Sequence, residues 1–265
     1  MSTRLKFLSS AGYEIASPED IHILIDPFLN QNPYSPIKVK DLRKVDLILV
    51  THGAWDHVGD TAESASKFHA PVVCGADVKV LMEDRGVEAD LLRVTIWGMW
   101  MKVQGVQVRP VESHHWSFSK TKDGRLLSGP AMGYILETEP GVRIYHPGDT
   151  ALSMGLKLFG ELYKPTVGLI HVSLPGAEGL RLPHHDMYQS GELTPYEAAL
   201  ACQWLNLRHV IASHYVDPET EDVKQFVQIM RSIDRHDGTA PMVTVMKPGE
   251  TLVLDPTAAD KAKKT

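Results

Sequence analysis

Cysteine is scarce in this chain, and its scarcity excludes two kinds of fold support. The 265 residues include only two cysteines, Cys74 and Cys202, which lie far apart in sequence. A Cys-x-x-Cys zinc knuckle and a disulfide framework are therefore both excluded. We expect two reduced, buried thiols, and this pattern favours a cytoplasmic location.

Long apolar runs and an excess of basic residues are also missing. No stretch approaches the roughly 18 apolar residues of a membrane span, and residues 1–15 contain no apolar segment suited to a signal peptide. The formal charge is -6, with 27 Lys and Arg against 33 Asp and Glu. Because phosphate binding needs a concentrated basic face, we expect a small-molecule substrate, with no nucleic acid and no membrane as partner. The sequence leaves open whether the chain forms a homo-oligomer.

Strand-like and helix-like segments alternate along the chain, which predicts an α/β fold. We expect a buried strand at 46–50 (DLILV) followed by a loop to residue 60, and a strand at 106–111 followed by the loop ESHHWS. Thr194, Pro195 and Glu197 predict the start of a helix. Residues 242–246 and 251–254 are predicted to pair as a closing hairpin. No linker is evident, so residues 1–265 are predicted to form a single domain, with a frayed tail at 258–265.

Histidines and aspartates follow four of the apolar runs. The motif THGAWDH occupies residues 51–57, and the later pairs or triplets are His114-His115, Gly148-Asp149-Thr150 and Ser213-His214-Tyr215. Helix capping would explain an aspartate at position 56 but not two flanking histidines. Since strand ends of α/β folds gather at one edge, and imidazole and carboxylate bind divalent metals, the pattern predicts a metal site built from loops.

These motifs resemble those of the metallo-β-lactamase superfamily, in particular the branch of small metal-dependent hydrolases that includes the ascorbate-6-phosphate lactonases. The matching segments are IDP at 25–27, THGAWDHVGD at 51–60, HWS from 115, GPAMGYILE from 129, IYHPGDT at 144–150 and SHY at 213–215. The similarity extends from about residue 5 to residue 254. It implies an αββα four-layer sandwich with two mixed β-sheets and a metal cleft at one edge.

The resemblance also implies the ligands. The first metal site would use His52, His115 and Asp149, and the second Asp56, His57, His214 and the same Asp149. We expect one or two divalent ions; the histidine and aspartate donors suit zinc best, with manganese, iron or nickel as alternatives. A metal-bound hydroxide would then attack the substrate, Asp56 or Asp149 would accept its proton, and Asp26 would orient the ligands by hydrogen bonds.

One position departs from the family motif His-x-His-x-Asp-His. Its second histidine is Ala54 here, and a methyl group cannot bind a metal. Three outcomes follow: the enzyme works with one ion; it holds two ions, with water or another residue in the gap; or the first site and the activity are lost.

Several residues are candidates for other roles in the site. His114 and His115 could exchange roles, although the Trp116-Ser117 context favours His115. The long stretch 175–191 carries His184 and His185. We predict that one of them reaches the site, either to bind substrate or to supply the metal ligand missing at Ala54; the alternative is an exposed polar loop. Tyr215 is a weaker substrate-binding candidate. Asp60 either supports the metal loop or simply lies on the next helix.

The combined prediction is a metal-dependent hydrolase acting on a small ester, lactone or amide. The runner-up is a phosphodiesterase or nuclease on the same site. A non-catalytic metal- or ligand-binding protein is made conceivable by Ala54, and the fold also permits an iron redox enzyme. Substrate and metal identity are not specified by any motif in the sequence.

Overall fold

A computed structural model describes residues 2–173 and 191–254, which contain fourteen strands and six α-helices. The strands are β1 (Arg4–Phe7), β2 (Tyr13–Ala16), β3 (His22–Ile25), β4 (Leu47–Leu49), β5 (Val72–Cys74), β6 (Leu92–Val94), β7 (Met101–Val103), β8 (Val106–Lys120), β9 (Leu126–Glu139), β10 (Val142–His146), β11 (Val167–His171), β12 (His209–Ser213), β13 (Met242–Thr244) and β14 (Thr251–Val253). The helices are α1 (Trp55–Val58), α2 (Thr61–Phe68), α3 (Ala76–Asp84), α4 (Met154–Leu162), α5 (Pro195–Leu205) and α6 (Glu221–Met230). Within the described ranges, no helix has the length and apolar character needed to cross a membrane.

Two seven-stranded mixed sheets form the centre of the fold. The first has the order β14-β1-β2-β3-β4-β5-β6, and the second the order β13-β12-β11-β10-β9-β8-β7. In each sheet one half is antiparallel and the other half parallel. The parallel halves matter for function, because β3 and β4 in one sheet and β10, β11 and β12 in the other all send their carboxyl ends toward one edge.

Alternate residues of the first sheet belong to different cores. Ile23 and Ile25 pack in the core shared with the second sheet, whereas Leu24 packs in a second core that also contains residues of α2 and α3. This alternation follows from the two-residue period of a strand. Helices α4, α5 and α6 bury their apolar sides in the larger core. The layers are therefore helix, sheet, sheet and helix, and the predicted fold class is confirmed.

Strand β8 is longer than predicted. Instead of stopping at residue 111, it continues to Lys120 and pairs with β9 across an irregularity between Glu112 and Trp116. Glu112 pairs with Met132 and Trp116 with Pro130, so three residues of β8 lie opposite Ala131 alone. The spacing of hydrophobic residues in the sequence does not reveal such a bulge, because the extra residues interrupt the alternation of buried and exposed positions only locally. The predicted loop ESHHWS is therefore a bulged strand.

Two other local predictions were wrong. Residues 52–60 include the short helix α1 rather than loop alone. The predicted closing hairpin does not exist, because β13 pairs with β12 in the second sheet and β14 pairs with β1 in the first. Both thiols are buried and free, as expected. The tail at 258–265 and the stretch containing His184 and His185 lie outside the described residues.

Candidate metal centre

Three loops at one edge of the sandwich, after β4, β10 and β12, carry five of the six predicted ligands, and the bulged strand β8 carries His115. His52 follows β4, and Asp56 and His57 occupy the single turn of α1, whose N-cap is Ala54. His214 directly follows β12 and has a left-handed backbone with φ of 61°. This strained conformation is held by its neighbours, since His214 N donates to Ser10 O and Ser10 N donates to Tyr215 O.

Asp26 anchors the loop between β4 and α1. It is fully buried, and its carboxylate accepts hydrogen bonds from Thr51 N (2.9 Å), Thr51 Oγ1 (2.7 Å) and His57 Nδ1 (2.8 Å). Because the Thr51 hydroxyl donates its proton to Asp26, its oxygen is left to accept from Nδ1 of His52 at 3.1 Å. Both imidazoles thus carry hydrogen on Nδ1 and direct Nε2 toward Asp149.

A second anchor joins the same loop to β8. Gly53 N donates to Ser117 Oγ at 2.8 Å, and the Ser117 hydroxyl donates to the buried carboxylate of Asp77 at the start of α3. An added Cβ at Gly53 would lie only 3.2 Å from Ser117 Oγ, so a larger side chain would push the loop away from the strand. The position of His52 is therefore fixed from both sheets.

Asp149 lies at the middle of the cluster. Its Oδ2 is 3.2 Å from His57 Nε2, 3.8 Å from His115 Nε2 and 3.9 Å from His52 Nε2, while its Oδ1 is 3.3 Å from His214 Nε2. At the predicted second metal site, Asp56 Oδ2 is 3.7 Å from His57 Nε2 and 3.8 Å from His214 Nε2. One carboxylate therefore contacts imidazoles from both sheets.

Several atoms of this cluster, and one of the neighbouring Glu192, are buried with no hydrogen-bond partner among the residues that the structure describes. They are His52 Nε2, His57 Nε2, Asp149 Oδ1, Glu192 Oε2 and His214 Nε2. A buried polar atom without any partner costs about 1–3 kcal/mol, although His57 Nε2 and His214 Nε2 are partly compensated by ion pairs with Asp149 at 3.2 and 3.3 Å. Imidazole nitrogens and carboxylate oxygens converging in this way fit a divalent metal ion.

The potential ligand atoms fall into overlapping groups, each with all its members within 4.8 Å of one another. These groups are His52, His57 and Asp149; Asp56, His57 and His214; and His115, Asp149 and Glu192. Asp149 is common to the first and third groups, and His57 to the first and second. The six predicted ligands are thus brought together, and the methyl group of Ala54 contributes no donor.

At Asp149, His57 and His214, burial and the neighbouring charges shift the pKa in opposite directions. Burial alone would raise the pKa of Asp149, but His214 and His57 hold it well below its usual range. Burial would lower the pKa of His214, but Asp149, Asp56 and Glu192 raise it to about 9. His57 behaves in the same way. Burial, reinforced by the charge of His57, lowers the pKa of His52 to about 3. The metal-free cluster therefore mixes protonated and neutral imidazoles around ionised carboxylates.

The adjacent histidines of β8 occupy different environments. His115 is nearly buried and faces Asp149, whereas His114 is about half exposed and pairs with Glu112 at 3.3 Å. Neighbouring residues of a strand point to opposite faces, which separates the two side chains, and both lie within the bulge between Glu112 and Trp116. Of the two candidates, the structure brings His115 to the cluster.

Some predicted or overlooked residues have other positions. Tyr215 is not a cleft residue: it is buried, its hydroxyl donates to Met246 O at 2.7 Å, and its ring packs against Phe7. Asp60 supports the loop after β3 by accepting from Leu29 N and Asn30 N. Glu192 was missed, because no spacing in the sequence connects it with the histidines; burial raises its pKa to about 7.

The family model described as beta-lactamase superfamily domain matches residues 22–215. A UPF0173 metal-dependent hydrolase from Rubrobacter xylanophilus is 34% identical over 255 residues, covering 94% of this chain and 96% of that protein. The chain belongs to the UPF0173 metal-dependent hydrolases of the metallo-β-lactamase superfamily. Members of this family are hydrolases that depend on a metal, in agreement with the donor set around Asp149.

Solved structures show the same fold at lower identity. The metallo hydrolase Igni18 from Ignicoccus hospitalis has a TM-score of 0.73 and 24% identity, covering 96% of this chain and 99% of that one. An isothiocyanate hydrolase from Delia radicum gut bacteria has a TM-score of 0.69 and 17% identity, covering 95% and 99%. Similarity at this level establishes the architecture, and a fold does not by itself specify a substrate.

Proposed function

We propose that this UPF0173 hydrolase cleaves a small ester, lactone or amide at the cluster around Asp149. The observation that supports the proposal is the convergence of four imidazoles on one buried carboxylate, with unpaired donor atoms directed at the space between them. A divalent ion held there would lower the pKa of a water molecule and polarise the substrate carbonyl.

The protein itself would supply positioning and proton transfer. Asp56 is only about one-fifth exposed and lies 3.7 Å from His57 Nε2 and 3.8 Å from His214 Nε2, so it is placed to accept a proton from the attacking water. The pKa of its carboxyl group is lowered to about 2, since His57 and His214 outweigh the effect of burial. It is therefore an ionised acceptor at neutral pH.

A neutral acyl substrate suits the surroundings better than a polyanion. The charges with the largest influence on the cluster belong to histidines and carboxylates, whereas phosphate recognition relies on Arg and Lys. Trp55 and Trp116, which are neighbours of Ala54 and His115 in sequence, are both strongly exposed and offer apolar surface to a substrate. A lactone belongs in the same substrate class because it is a cyclic ester, which a metal-bound hydroxide would attack at the same carbonyl carbon.

The test is a turnover assay with zinc- or manganese-loaded protein on aryl esters, lactones, amides and an aryl phosphodiester. We expect activity on one of the acyl classes. His115→Ala should reduce it by at least about 100-fold, because removing a ligand costs more than disturbing a residue that supports one. His114→Ala is the matched control and should retain activity, since that side chain faces Glu112.

Other outcomes would replace the proposal. Turnover of the phosphodiester alone would assign phosphoryl chemistry to the same site. Firm metal binding without turnover of any compound would point to a binding protein. Equal losses in His114→Ala and His115→Ala would show that the bulged strand, rather than the imidazole, is what matters.

A further inference from the structure

Glu192 is a buried carboxylate that none of the predicted roles accounts for. Its side chain is only 5% exposed, and its Oε2 has no hydrogen-bond partner among the described residues. That oxygen lies 3.8 Å from His214 Nδ1. A ligand oxygen of Glu192 also lies within 4.8 Å of ligand atoms of His115 and Asp149. A buried carboxylate in this situation needs a cation or a donor.

The backbone on both sides of Glu192 is tied to the metal cluster. Leu193 N donates to Nε2 of the buried His171 at 2.9 Å, and His171 Nδ1 donates to Gly148 O at 3.0 Å, next to Asp149. On the other side, Gly191 O accepts from His115 Nδ1 at 3.3 Å, which leaves His115 Nε2 directed toward Asp149. The position of Glu192 is therefore set by the same residues that position the ligands.

The following helix fixes the segment from its other end. Thr194 Oγ1 accepts from Glu197 N, and the Glu197 carboxylate accepts from Thr194 N, so that α5 begins with a complete capping box. Glu192 thus lies two residues before a rigid helix start rather than on a free loop. A side chain held in this way can keep a coordination geometry.

Ala54 leaves the first site one donor short, and Glu192 offers a donor beside His115 and Asp149. We propose that Glu192 is a metal ligand that replaces the histidine missing at position 54 and binds one ion together with His115 and Asp149. This assignment goes beyond the proposed function, since it concerns the ion and holds for any substrate. An anionic oxygen in place of a neutral nitrogen also shifts the site toward harder ions such as manganese.

The competing role for Glu192 is indirect. A carboxylate 3.8 Å from His214 Nδ1 could act only by orienting that imidazole. The two roles differ in one respect that can be measured. A histidine introduced at position 54 can supply a missing ligand on the first site, but it cannot orient His214 on the opposite side of Asp149.

The experiment measures zinc per chain by elemental analysis for the wild type, Glu192→Ala, Ala54→His and the double variant, after saturation with Zn²⁺ and desalting. We expect about two ions in the wild type, about one in Glu192→Ala and about two again in the double variant. Glu192→Gln keeps the shape of the side chain and should also fall below the wild type. Circular dichroism of each variant identifies any that fails to fold.

Three results would overturn the assignment. Glu192→Ala could retain the zinc content of the wild type. The double variant could stay at the reduced content of Glu192→Ala, which would leave the orienting role. The wild type could hold about one ion and Ala54→His about two, which would mean that nothing fills the gap at Ala54. Substrate turnover is not measured, so failure of the ester and lactone assay does not affect the result.

Discussion

The charge on individual imidazoles governs how the cluster takes up metal. In the metal-free protein, His57 and His214 lie between carboxylates that raise their pKa, while His52 and His115 are held neutral mainly by burial. An imidazole nitrogen must lose its proton before it can bind an ion. His57 and His214, the two imidazoles with a raised pKa, lie on the Asp56 side of the cluster. Metal binding there should therefore release protons.

The apparent zinc affinity should rise with pH. His214 has a pKa of about 9, so its proton opposes metal binding below that pH and the opposition disappears above it. We expect the affinity to increase at least about tenfold per pH unit between pH 6.5 and 8.5. Competition with a chromophoric chelator measures it, after correction for the chelator's own protonation. A flat profile would show that both imidazoles are neutral in the metal-free protein.

Asp26→Asn tests the support behind the ligands. The amide keeps the volume but weakens the bonds to Thr51 and His57 and removes the charge that favours hydrogen on His57 Nδ1. We expect zinc affinity to fall by about 10–100-fold. Asp46→Asn is the control. Asp46 directly precedes β4, at the opposite end of that strand from Thr51, and accepts a hydrogen bond from His22 N. Equal losses in both variants would indicate a general effect on β4.

At the scale of elements, the ends and irregularities of longer helices and strands hold several of the predicted ligands in place. Helix α5 is the clearest case, because its capping box secures the segment that carries Glu192. The bulge of β8 has the same function for His115. These two proposed ligands are therefore positioned by local irregularities next to or inside an otherwise regular element.

Thr194→Ala should destabilise the protein by about 1 kcal/mol, since it removes an N-cap hydrogen bond. Thr220→Ala is the matched control, because Thr220 caps α6 without a side-chain cap bond. Denaturant unfolding of both variants measures the difference. Similar losses in the two variants would mean that the capping box of α5 contributes little.

The sequence predicted those features that depend on neighbouring residues. The start of α5 at Thr194 and the helix after Asp60 follow from local patterns, and both are observed. The bulge of β8 and the partners of β13 and β14 could not be predicted in this way, because pairing between distant strands is not encoded in local periodicity. Glu192 was missed for the same reason: it meets His115 and Asp149 only through tertiary packing.

At the scale of the molecule, the cluster lies between the two sheets. His52, Asp56 and His57 come from loops of the first sheet, and His115, Asp149 and His214 from the second. An ion bound to residues of both sheets would stabilise their contact, because it binds the folded state and not the unfolded chain. Metal content and unfolding are thus linked.

Removal of metal should lower the melting temperature. At a free zinc concentration about 100 times the Kd, binding stabilises the fold by about 2.7 kcal/mol, which corresponds to about 5–10 °C for a chain of this size. Thermal unfolding with excess EDTA and after zinc is restored measures the shift. Asp149→Asn should show little response to either treatment. A wild type that melts at the same temperature in both conditions would contradict metal binding at this site.

The pairing of β1 with β14 has a consequence for synthesis on the ribosome. Arg4, Leu5 and Lys6 pair with Val253, Leu252 and Thr251, so β1 keeps one open edge until nearly 250 further residues have been translated. At about 5–20 residues per second, that interval lasts roughly 12–50 seconds. His214 likewise appears long after His52. The nascent chain therefore exposes a strand edge to other chains during most of its translation, and the predicted ligand set is complete only once residue 214 has been translated.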